Sequence, residues 1–318
     1  MEQRGPVLVA DIGGTKMAGG VCDPDGTLLT WESVPTPADA DADALWSALE
    51  SLLAGVLERS GAADLAGVGC GCGGPMRWPE GLVSPLNIPG WRDFPLRTAL
   101  ADRFAAPGVP VRLHNDAICM AAGEHWRGAG RGTRNMLGMV VSTGVGGGLV
   151  LDGRLVNGAS GNAGHIGHVV VDAENGPLCK CGGRGCLEAI ARGPGLADWA
   201  QSQGWRQDEP DATARELAAD AALGHPVAQA ALGRAGRAVG IAIASATSLC
   251  DLEVVTVGGG LSQAGPLLFT PLRAALAEHA RLEFTRHVRV VPAALGQTAG
   301  LVGAAALVLR AQRYWAGD

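Results

Sequence analysis

Apolar runs and amphipathic stretches follow one another in an order that occurs twice along this chain. In the first half, the apolar run at Val7–Asp11 predicts a strand, and a glycine turn separates it from a second strand near Met17–Cys22. Alternating residues predict a third strand, and leucines at helical spacing predict a helix. The further elements predicted for this half are the strand Leu28–Val34, the helix Asp43–Arg59, the strand Ala66–Gly71, the helix Leu96–Phe104 and the strand Val111–His114.

The second half begins the same order again. An apolar strand at Met136–Ser142 runs into a glycine-rich turn, and a second strand returns over Gly148–Leu151. Asp152 and Gly153 predict a hairpin turn. The remaining predictions are a short strand at Arg154–Val156, helices over 213–222 and 226–248, a buried strand at Glu253–Val257 and an apolar helix at Ala299–Ala311 that crosses back to the first domain. The repeated order predicts a duplicated α/β unit with a cleft between the two copies.

Composition narrows the class of protein. A length of 318 residues suits two domains or one large one, and 47% hydrophobic residues suffice for a core. The net charge of −6 argues against a nucleic-acid surface, and no apolar run is long enough to predict a membrane span. The start of the chain lacks an apolar signal region, so we expect a cytoplasmic protein whose eight cysteines are thiols or metal ligands rather than disulfides.

Two glycine-rich turns predict phosphate binding, because glycine lets backbone N–H groups approach phosphate oxygens closely. In the first, Asp11 is placed to hold a hydrated Mg²⁺, and Thr15 and Lys16 to meet phosphates. The spacing fits neither a Walker A loop nor a dinucleotide-binding fingerprint. A structural hairpin is the alternative, since 49 glycines make short glycine runs common. The candidate phosphate residues of the two turns are Asp11, Gly13, Gly14, Thr15, Lys16, Thr143, Gly144 and Gly146.

An acidic residue follows the strand that closes the first half. Asp116, in the run His114-Asn115-Asp116, is a candidate general base, because phosphoryl transfer needs a carboxylate that accepts the proton of the substrate hydroxyl. The alternative is that Asp116 caps the helix that starts near Ala117. The segment 73–94, rich in Pro, Gly and Trp, is a candidate binding loop.

Three cysteines and a histidine form the most specific cluster. Three thiolates and one imidazole predict a closed, structural zinc site, although thiols gathered by coincidence are the alternative. The candidate ligands are His168, Cys179, Cys181 and Cys186. Beside them, Glu188 is a candidate acceptor for sugar hydroxyls, with an N-cap or surface acid as the alternative, and His165 is either a second sugar residue or an ordinary loop histidine.

These motifs together resemble those of the ROK family of repressors and sugar kinases, over nearly the whole length. The first phosphate motif is similar to Asp11–Lys16, the catalytic L-x-N-D motif to Leu113–Asp116, and the second phosphate loop to Thr143–Gly148. The zinc signature is matched from His168 to Glu188, and the adenosine-side glycines by Gly258–Gly260. The resemblance implies an actin-like ATPase fold with two ribonuclease-H-like domains around a cleft for ATP and sugar.

The resemblance also implies roles. Asp116 is then the base, Gly259 and Gly260 contact ATP, and His168 touches both sugar and zinc. The residues that it places around the sugar are Gly74, Asn87, Asn115, His165, His168 and Glu188. Glucokinases of the family carry Glu where this chain has His165. A neutral imidazole offers one donor and one acceptor, which makes an N-acetylmannosamine-type hexosamine or a glucose-like cyclitol candidates beside glucose.

We therefore expect an ATP- and Mg²⁺-dependent kinase that acts on a primary hydroxyl of a hexose or hexose derivative. We expect a small domain of residues 1–115 with 300–318, a large domain of residues 116–299 that carries the zinc loop, and a homodimer or homotetramer. A DNA-binding repressor is disfavoured because six residues before the first strand leave no room for a winged helix. A non-catalytic sugar sensor is disfavoured because Asp116 is retained.

Overall fold

A computed structural model gives the fold and describes residues 5–317. The expectation of a start without a signal region falls almost wholly on residues 1–4, outside that range. By contacts, the described chain groups into two compact units. Unit 1 holds the residues up to Arg134, Gly148–Ala163 and the segment from Ala294, and unit 2 holds Asn135–Gly147 and Gly164–Ala293. The domain boundaries predicted after residues 115 and 299 stay a prediction.

The first sheet has five strands in the order β3-β2-β1-β4-β7, and a two-stranded hairpin, β5-β6, is separate. Strand β1 pairs antiparallel with β2 and parallel with β4, which pairs parallel with β7. The strands are β1 Val7–Ile12, β2 Lys16–Cys22, β3 Leu28–Pro35, β4 Gly67–Cys72, β5 Met76–Arg77, β6 Leu82–Val83 and β7 Val111–Asn115.

The second sheet repeats this topology, with the strand order β10-β9-β8-β11-β12. Its strands are β8 Met136–Val141, β9 Val145–Leu151, β10 Arg154–Leu155, β11 Val254–Gly258 and β12 Arg289–Pro292. As in the first sheet, an antiparallel pair, β9 with β10, is joined in the sheet by parallel pairs, β8 with β11 and β11 with β12. The matching orders confirm the duplication that the sequence predicts.

The helices lie between the strands in both copies. They are α1 Ala42–Ser60, α2 Leu96–Phe104, α3 Asp116–Arg127, α4 Leu187–Ala191, α5 Gly193–Ser202, α6 Ala214–Ala222, α7 Pro226–Cys250, α8 Pro266–His279, α9 Ala299–Leu309 and α10 Ala311–Tyr314. The helices α4, α5 and α8 and the strands β5, β6 and β12 were not predicted, and the predicted helix Ala299–Ala311 combines α9 with the start of α10. Within residues 5–317, no helix is both long and apolar enough to cross a bilayer.

Strand β1 is buried on both faces, which explains why it reads as an apolar run rather than an alternation. Leu8, with Leu49 and Leu53 of α1, belongs to the core on one face. Val9, with Leu301 and Ala305 of α9, belongs to the core on the other. The C-terminal apolar helix therefore packs against the first sheet.

Helix α3, which begins at the candidate base, packs closely against α9. A Cβ atom on Gly303 of α9 would overlap the backbone carbonyl of Cys119 in α3. Only glycine permits that approach, so the crossing of the two helices is fixed by their backbones. The position of Asp116 at the start of α3 is fixed with it.

Candidate active site

The first glycine turn connects β1 to β2. The Gly13 amide donates to the Lys16 carbonyl at 3.0 Å, which closes the turn. Thr36, the residue after strand β3, supports it: its hydroxyl donates to the Gly13 carbonyl at 2.7 Å and its amide donates to the Thr15 carbonyl at 3.1 Å. Gly14, Thr15 and Lys16 are exposed. Hydrogen bonds therefore hold the backbone of the turn in place, which suits the predicted binding of phosphate oxygens.

A lysine and a carboxylate flank this turn. The Lys16 ammonium donates to the Gln297 side chain at 3.2 Å. Burial, with a smaller contribution from the Asp116 carboxylate, raises the pKa of Asp11 to about 7, although Lys16 acts in the opposite direction. Two carboxylates therefore influence each other within unit 1, and a bound cation would favour the ionised form of both.

Asn115 and Asp116 stand where β7 passes into α3. The residue at the N-cap of α3 is Asn115, whose side-chain oxygen accepts from the Ala117 amide at 3.1 Å. Asp116 is the first helical residue, and its Oδ1 also accepts from Ala117, at 2.8 Å. The N-cap of α3 is therefore Asn115, and not Asp116 as the capping alternative proposed. A Cβ placed on Gly73 would lie 3.9 Å from Asp116 Oδ2, so this oxygen faces the glycines that follow β4.

The candidate sugar residues of unit 1 lie around the same strand ends. A Cβ on Gly74 would lie 3.4 Å from the Asn115 side-chain nitrogen. A Cβ on Gly14 would overlap Asn87 Cβ and lie 2.9 Å from the Asn87 carbonyl oxygen. The structure thus brings Gly74 to Asn115, and Asn87 to the first glycine turn.

His114 and Asn157 form a buried pair that the sequence did not predict. His114 is 0% exposed, and its Nδ1 accepts from the Asn115 amide at 2.9 Å. Its Nε2 lies 2.8 Å from Asn157 Oδ1. An acceptor at Nδ1 leaves Nε2 as the donor, so the ring is neutral and donates to Asn157. The pair fixes the backbone immediately before Asp116. Residue 114 is the variable position of the L-x-N-D motif, and no sequence pattern pairs it with Asn157.

The second glycine turn connects β8 to β9 and is shorter than the sequence suggests. Strand β9 starts at Val145, so Gly146 and its neighbours lie in a strand rather than in a loop. Close packing explains these glycines, since a Cβ on Gly147 would lie 2.8 Å from the Gly138 carbonyl and 3.0 Å from the Gly164 carbonyl. Thr143 is exposed and Gly144 is half-buried, so these two form the accessible part of the turn.

Glu188 joins this turn to α4. Its Oε2 accepts from the Val145 amide at 3.0 Å, and a Cβ on Gly144 would lie 3.0 Å from the same oxygen. The helix α4 is capped at Cys186, so Glu188 lies in its first turn and is not the N-cap. Glu188 is half-buried, and so it is not a surface acid either. It restrains the second turn as Thr36 restrains the first.

The predicted metal ligands come together in unit 2. One ligand atom from each of His168, Cys179, Cys181 and Cys186 lies within 4.8 Å of the others. Cys179 Sγ is 3.8 Å from His168 Nδ1, and the sulfurs of Cys181 and Cys186 are 3.8 Å apart. A tetrahedral zinc with usual bond lengths places its ligand atoms about 3.5–3.8 Å apart, so the donor set fits zinc.

The thiols of this cluster differ in environment. Burial raises the pKa of Cys186 to about 12, with Cys181 next to it contributing. The Gly183 backbone hydrogen bond lowers the pKa of Cys181, which is exposed. Zinc binds thiolates, so its positive charge would offset the desolvation cost of ionising the buried Cys186 thiol. Of the cysteines outside the cluster, Cys22, Cys70, Cys72 and Cys119 are buried and Cys250 is half-buried.

His165 and the last glycine run complete the predicted set. His165 is exposed, precedes a short 3₁₀ turn over Ile166–His168 and stacks on His168 with ring centroids 6.3 Å apart. Gly258 ends β11, Gly259 has a φ of 88°, and Gly260 begins a 3₁₀ turn. A side chain at Gly259 would be strained and would overlap the backbone of Val141, at the end of β8.

Comparisons with known proteins agree with these motifs. The chain is 33% identical to a glucokinase of Thermotoga maritima over 315 residues, which are 95% of this chain and 96% of the relative. It is 36% identical to an N-acetylmannosamine kinase of Citrobacter koseri over 300 residues, 94% of this chain and 97% of the relative.

A crystal structure of a ROK family glucokinase from Streptomyces griseus in complex with glucose and AMPPNP superposes with a TM-score of 0.82. It is 33% identical, with 96% of this chain and 100% of that chain covered. The actin-like α/β fold class is thereby confirmed. The family model described as ROK matches residues 7–311, and the chain belongs to the ROK family.

Proposed function

We propose that this protein is an ATP-dependent sugar kinase that phosphorylates the primary hydroxyl of a hexose or hexose derivative. The observation that carries the proposal is the placement of Asp116 and Asp11 in one unit beside a braced phosphate turn. Family membership supports it, since relatives over nearly the whole chain are glucokinases and N-acetylmannosamine kinases.

In the proposed reaction, Asp116 accepts the proton of the sugar hydroxyl. The hydroxyl oxygen forms a bond to the γ-phosphorus of ATP, the bond from that phosphorus to the β,γ-bridging oxygen breaks, and ADP leaves with the electron pair. Asp116 Oδ1 already accepts from the Ala117 amide, which holds the carboxylate in place for this role. His114 and Asn115 position it from the strand side.

The proposed phosphate contacts of ATP are Gly13, Gly14, Thr15, Lys16, Thr143, Gly144 and Gly146, and the proposed adenosine contacts are Gly259 and Gly260. Asp11 is the carboxylate that would hold Mg²⁺. That ion neutralises charge on the phosphates when it is bound.

The sugar contacts are proposed residue by residue. They are Gly74, Asn87, Asn115, His165, His168 and Glu188. A structural zinc on His168, Cys179, Cys181 and Cys186 holds the loop that carries the last three of these residues. The fit of the four ligand atoms to tetrahedral spacing supports this metal.

Replacing Asp116 by Asn tests the central step. Without the base, kcat should fall by roughly 100-fold or more, while the sugar Kd stays nearly unchanged. A coupled ADP-release assay and calorimetric titration of the sugar measure the two. Asp102→Asn, a change at an exposed acid of α2, is the matched control and should keep full activity. Equal turnover in Asp116→Asn would contradict the proposed base.

We propose that His165 selects the acceptor. A carboxylate accepts from two neighbouring hydroxyls, whereas a neutral imidazole accepts from one, and a polar group left unpaired once the bound sugar covers it costs about 1–3 kcal/mol. His165→Glu should therefore raise kcat/KM for glucose relative to the native substrate by roughly 5- to 150-fold. A ratio that does not change would assign specificity to the 73–94 segment instead.

The remaining expectations are proposals of the same kind. We propose that the protein acts in the cytoplasm, where thiols stay available for zinc, as a homodimer or homotetramer, and without nucleic-acid or membrane partners. A small domain of residues 1–115 with 300–318 and a large domain of 116–299 remain the proposed division. A glucose-like cyclitol belongs in the same substrate panel as the hexoses.

A further inference from the structure

A cavity in unit 2 lies beside the cysteine cluster. It has a volume of about 330 Å³ and is lined by α4, α5, the first half of α7 and the segment around Cys179. Pockets for small molecules span about 300–1,000 Å³, so the cavity suits a compact ligand. The charged and aromatic residues that line it are Lys180, Glu188, Arg192, Asp198, Trp199 and Arg234.

The feature that calls for a ligand is Arg234. Its side chain is half-buried, and burial lowers its pKa, although Asp172 acts in the opposite direction. Its recorded contacts are the Ile190 carbonyl, 3.4 Å from Nη1, and the Trp199 ring, 5.5 Å from the guanidinium carbon to the centroid. Among residues 5–317, no carboxylate lies within 4.0 Å of its guanidinium. A desolvated guanidinium without a carboxylate partner is stabilised by any anion that enters beside it.

The other charges of the lining favour an anion as well. Arg192 is 24% exposed, and its nearest carboxylate, on the 72% exposed Asp198, is 3.9 Å away. An ion pair this long and exposed stabilises Arg192 only slightly, so the guanidinium can still bind another anion. Glu188 is engaged by the Val145 amide, and Lys180 adds a third cation at the rim. Three cations thus face two acids, of which one is bonded elsewhere.

We propose that this cavity, which Glu188 and Cys179 also line, binds a small phosphorylated anion through Arg192 and Arg234, two residues not assigned above to ATP or sugar. Two planar guanidinium groups can each donate two N–H bonds to phosphate oxygens. The Trp199 ring gives an apolar wall against which the body of a sugar phosphate can lie. Inorganic phosphate and a hexose phosphate share the recognised group, and the experiment below separates them.

Calorimetric titration of inorganic phosphate and of glucose 6-phosphate into the full chain tests the site. Saturable binding is expected, and Arg234→Gln should weaken it by about 10- to 100-fold, the size expected for losing hydrogen bonds from a charged donor. The matched control is Arg237→Gln on the same helix, where the arginine pairs with Glu278 at 2.7 Å on the surface. It should bind both anions as the wild type does. Tighter binding of glucose 6-phosphate would indicate a sugar phosphate, and equal binding would indicate phosphate alone.

The phosphate turn is the competing location for the same anions. Lys16→Gln should leave the binding of both anions unchanged. The assignment would be overturned if Lys16→Gln lost this binding while Arg234→Gln kept it. Equal affinity in Arg234→Gln and wild type, or equal loss in Arg237→Gln, would also overturn it. So would a changed sedimentation coefficient of Arg234→Gln, because the cavity would then be an interface between copies. Kinase activity is not needed for any of these measurements, so failure of the proposed function would be recognised separately.

Discussion

The β1–β2 turn and the β8–β9 turn each contain a glycine that lies against a residue predicted to bind sugar. At Gly14 the neighbour is the backbone and Cβ of Asn87. At Gly144 the neighbour is the carboxylate tip of Glu188. Each turn therefore contacts a candidate sugar residue of its own unit. The first contact involves the backbone of Asn87, and the second involves the end of the flexible Glu188 side chain.

This difference decides how much each turn can adjust. Moving the Asn87 backbone means moving the 73–94 segment, whereas moving the Glu188 carboxylate needs only side-chain rotation. The bracing follows the same division. Thr36, which follows β3, holds the first turn, and Glu188 holds the second from α4, which follows the cysteine cluster directly. The second turn therefore depends on the loop that carries the cysteine cluster, and the first does not.

Removing a metal ligand should give the largest effect and should act on the second turn. Cys181→Ala should release zinc and free the start of α4, so that Glu188 no longer holds the Val145 amide. We expect kcat/KM for sugar to fall by roughly 100-fold or more. Metal analysis should show near one zinc per chain in the wild type and less in the variant. Cys250→Ala, a change outside the cluster, is the control, and full activity in metal-free protein would contradict the prediction.

Gly14→Ala should have the next largest effect, through the first turn. The added methyl would overlap Asn87 Cβ, and the backbone must shift to admit it. Overpacking of this kind costs about 1–3 kcal/mol, so kcat/KM should fall by about 10- to 100-fold. Steady-state kinetics against Gly13→Ala give the comparison, because a Cβ at Gly13 meets only the Lys16 carbonyl at 3.4 Å. Equal losses in both variants would remove the argument from Asn87.

The first turn also carries a carboxylate whose ionisation opposes folding. The pKa of Asp11 is raised to about 7 in the folded chain, against 3.8 in its ordinary state. The folded protein binds this proton more tightly, so the associated stability is present below pH 4 and is lost as pH rises through about 7. Asp11→Asn cannot ionise, and it should be more stable than wild type at pH 8 by at most about 4 kcal/mol.

Urea unfolding without Mg²⁺ or nucleotide measures this difference at pH 5 and pH 8. The advantage of Asp11→Asn should shrink at pH 5, where the wild-type carboxyl is largely protonated in the folded state. A difference that stays constant between the two pH values would mean that Asp11 is not desolvated as the structure indicates.

Both turns could be predicted because their signals are local. Asp11–Lys16 lies within six residues between two apolar runs, and the ligand spacing of the cysteines spans one short segment. The duplication could be predicted as well, since strand, turn, strand and helix recur in order. Periodicity indicates the type of each element, and the two sheets that these elements form have matching strand orders.

Contacts between distant residues could not be predicted. His114 with Asn157 and Glu188 with Val145 are pairs 43 residues apart, and neither carries a pattern that links its members. Helix α8 was missed because Pro271 lies inside it, which normally argues against a helix. Here packing against α7 outweighs the proline, whose ring would lie 2.7 Å from a Cβ on Gly236.

Gly144→Ala gives the smallest expected effect and the sharpest test of the comparison. Its methyl would lie 3.0 Å from Glu188 Oε2, which is tight but can be relieved by rotating the carboxylate. That rotation weakens the 3.0 Å bond to the Val145 amide, so the KM for sugar should rise by about 3- to 10-fold, the effect of weakening one hydrogen bond. Gly233→Ala on α7, where a Cβ meets nothing within 4 Å, is the control and should be neutral.

A second substitution shows whether the methyl acts through Glu188. Glu188→Asp shortens the side chain by one methylene, so it should impair the enzyme alone by loss of the same bond. Combined with Gly144→Ala it should cost less than the two losses together, because the shorter carboxylate makes room for the methyl. If the double variant shows the full product of the two single losses in kcat/KM, then Gly144 acts on phosphate binding alone. The second turn would then not depend on Glu188, whereas the first turn contacts Asn87.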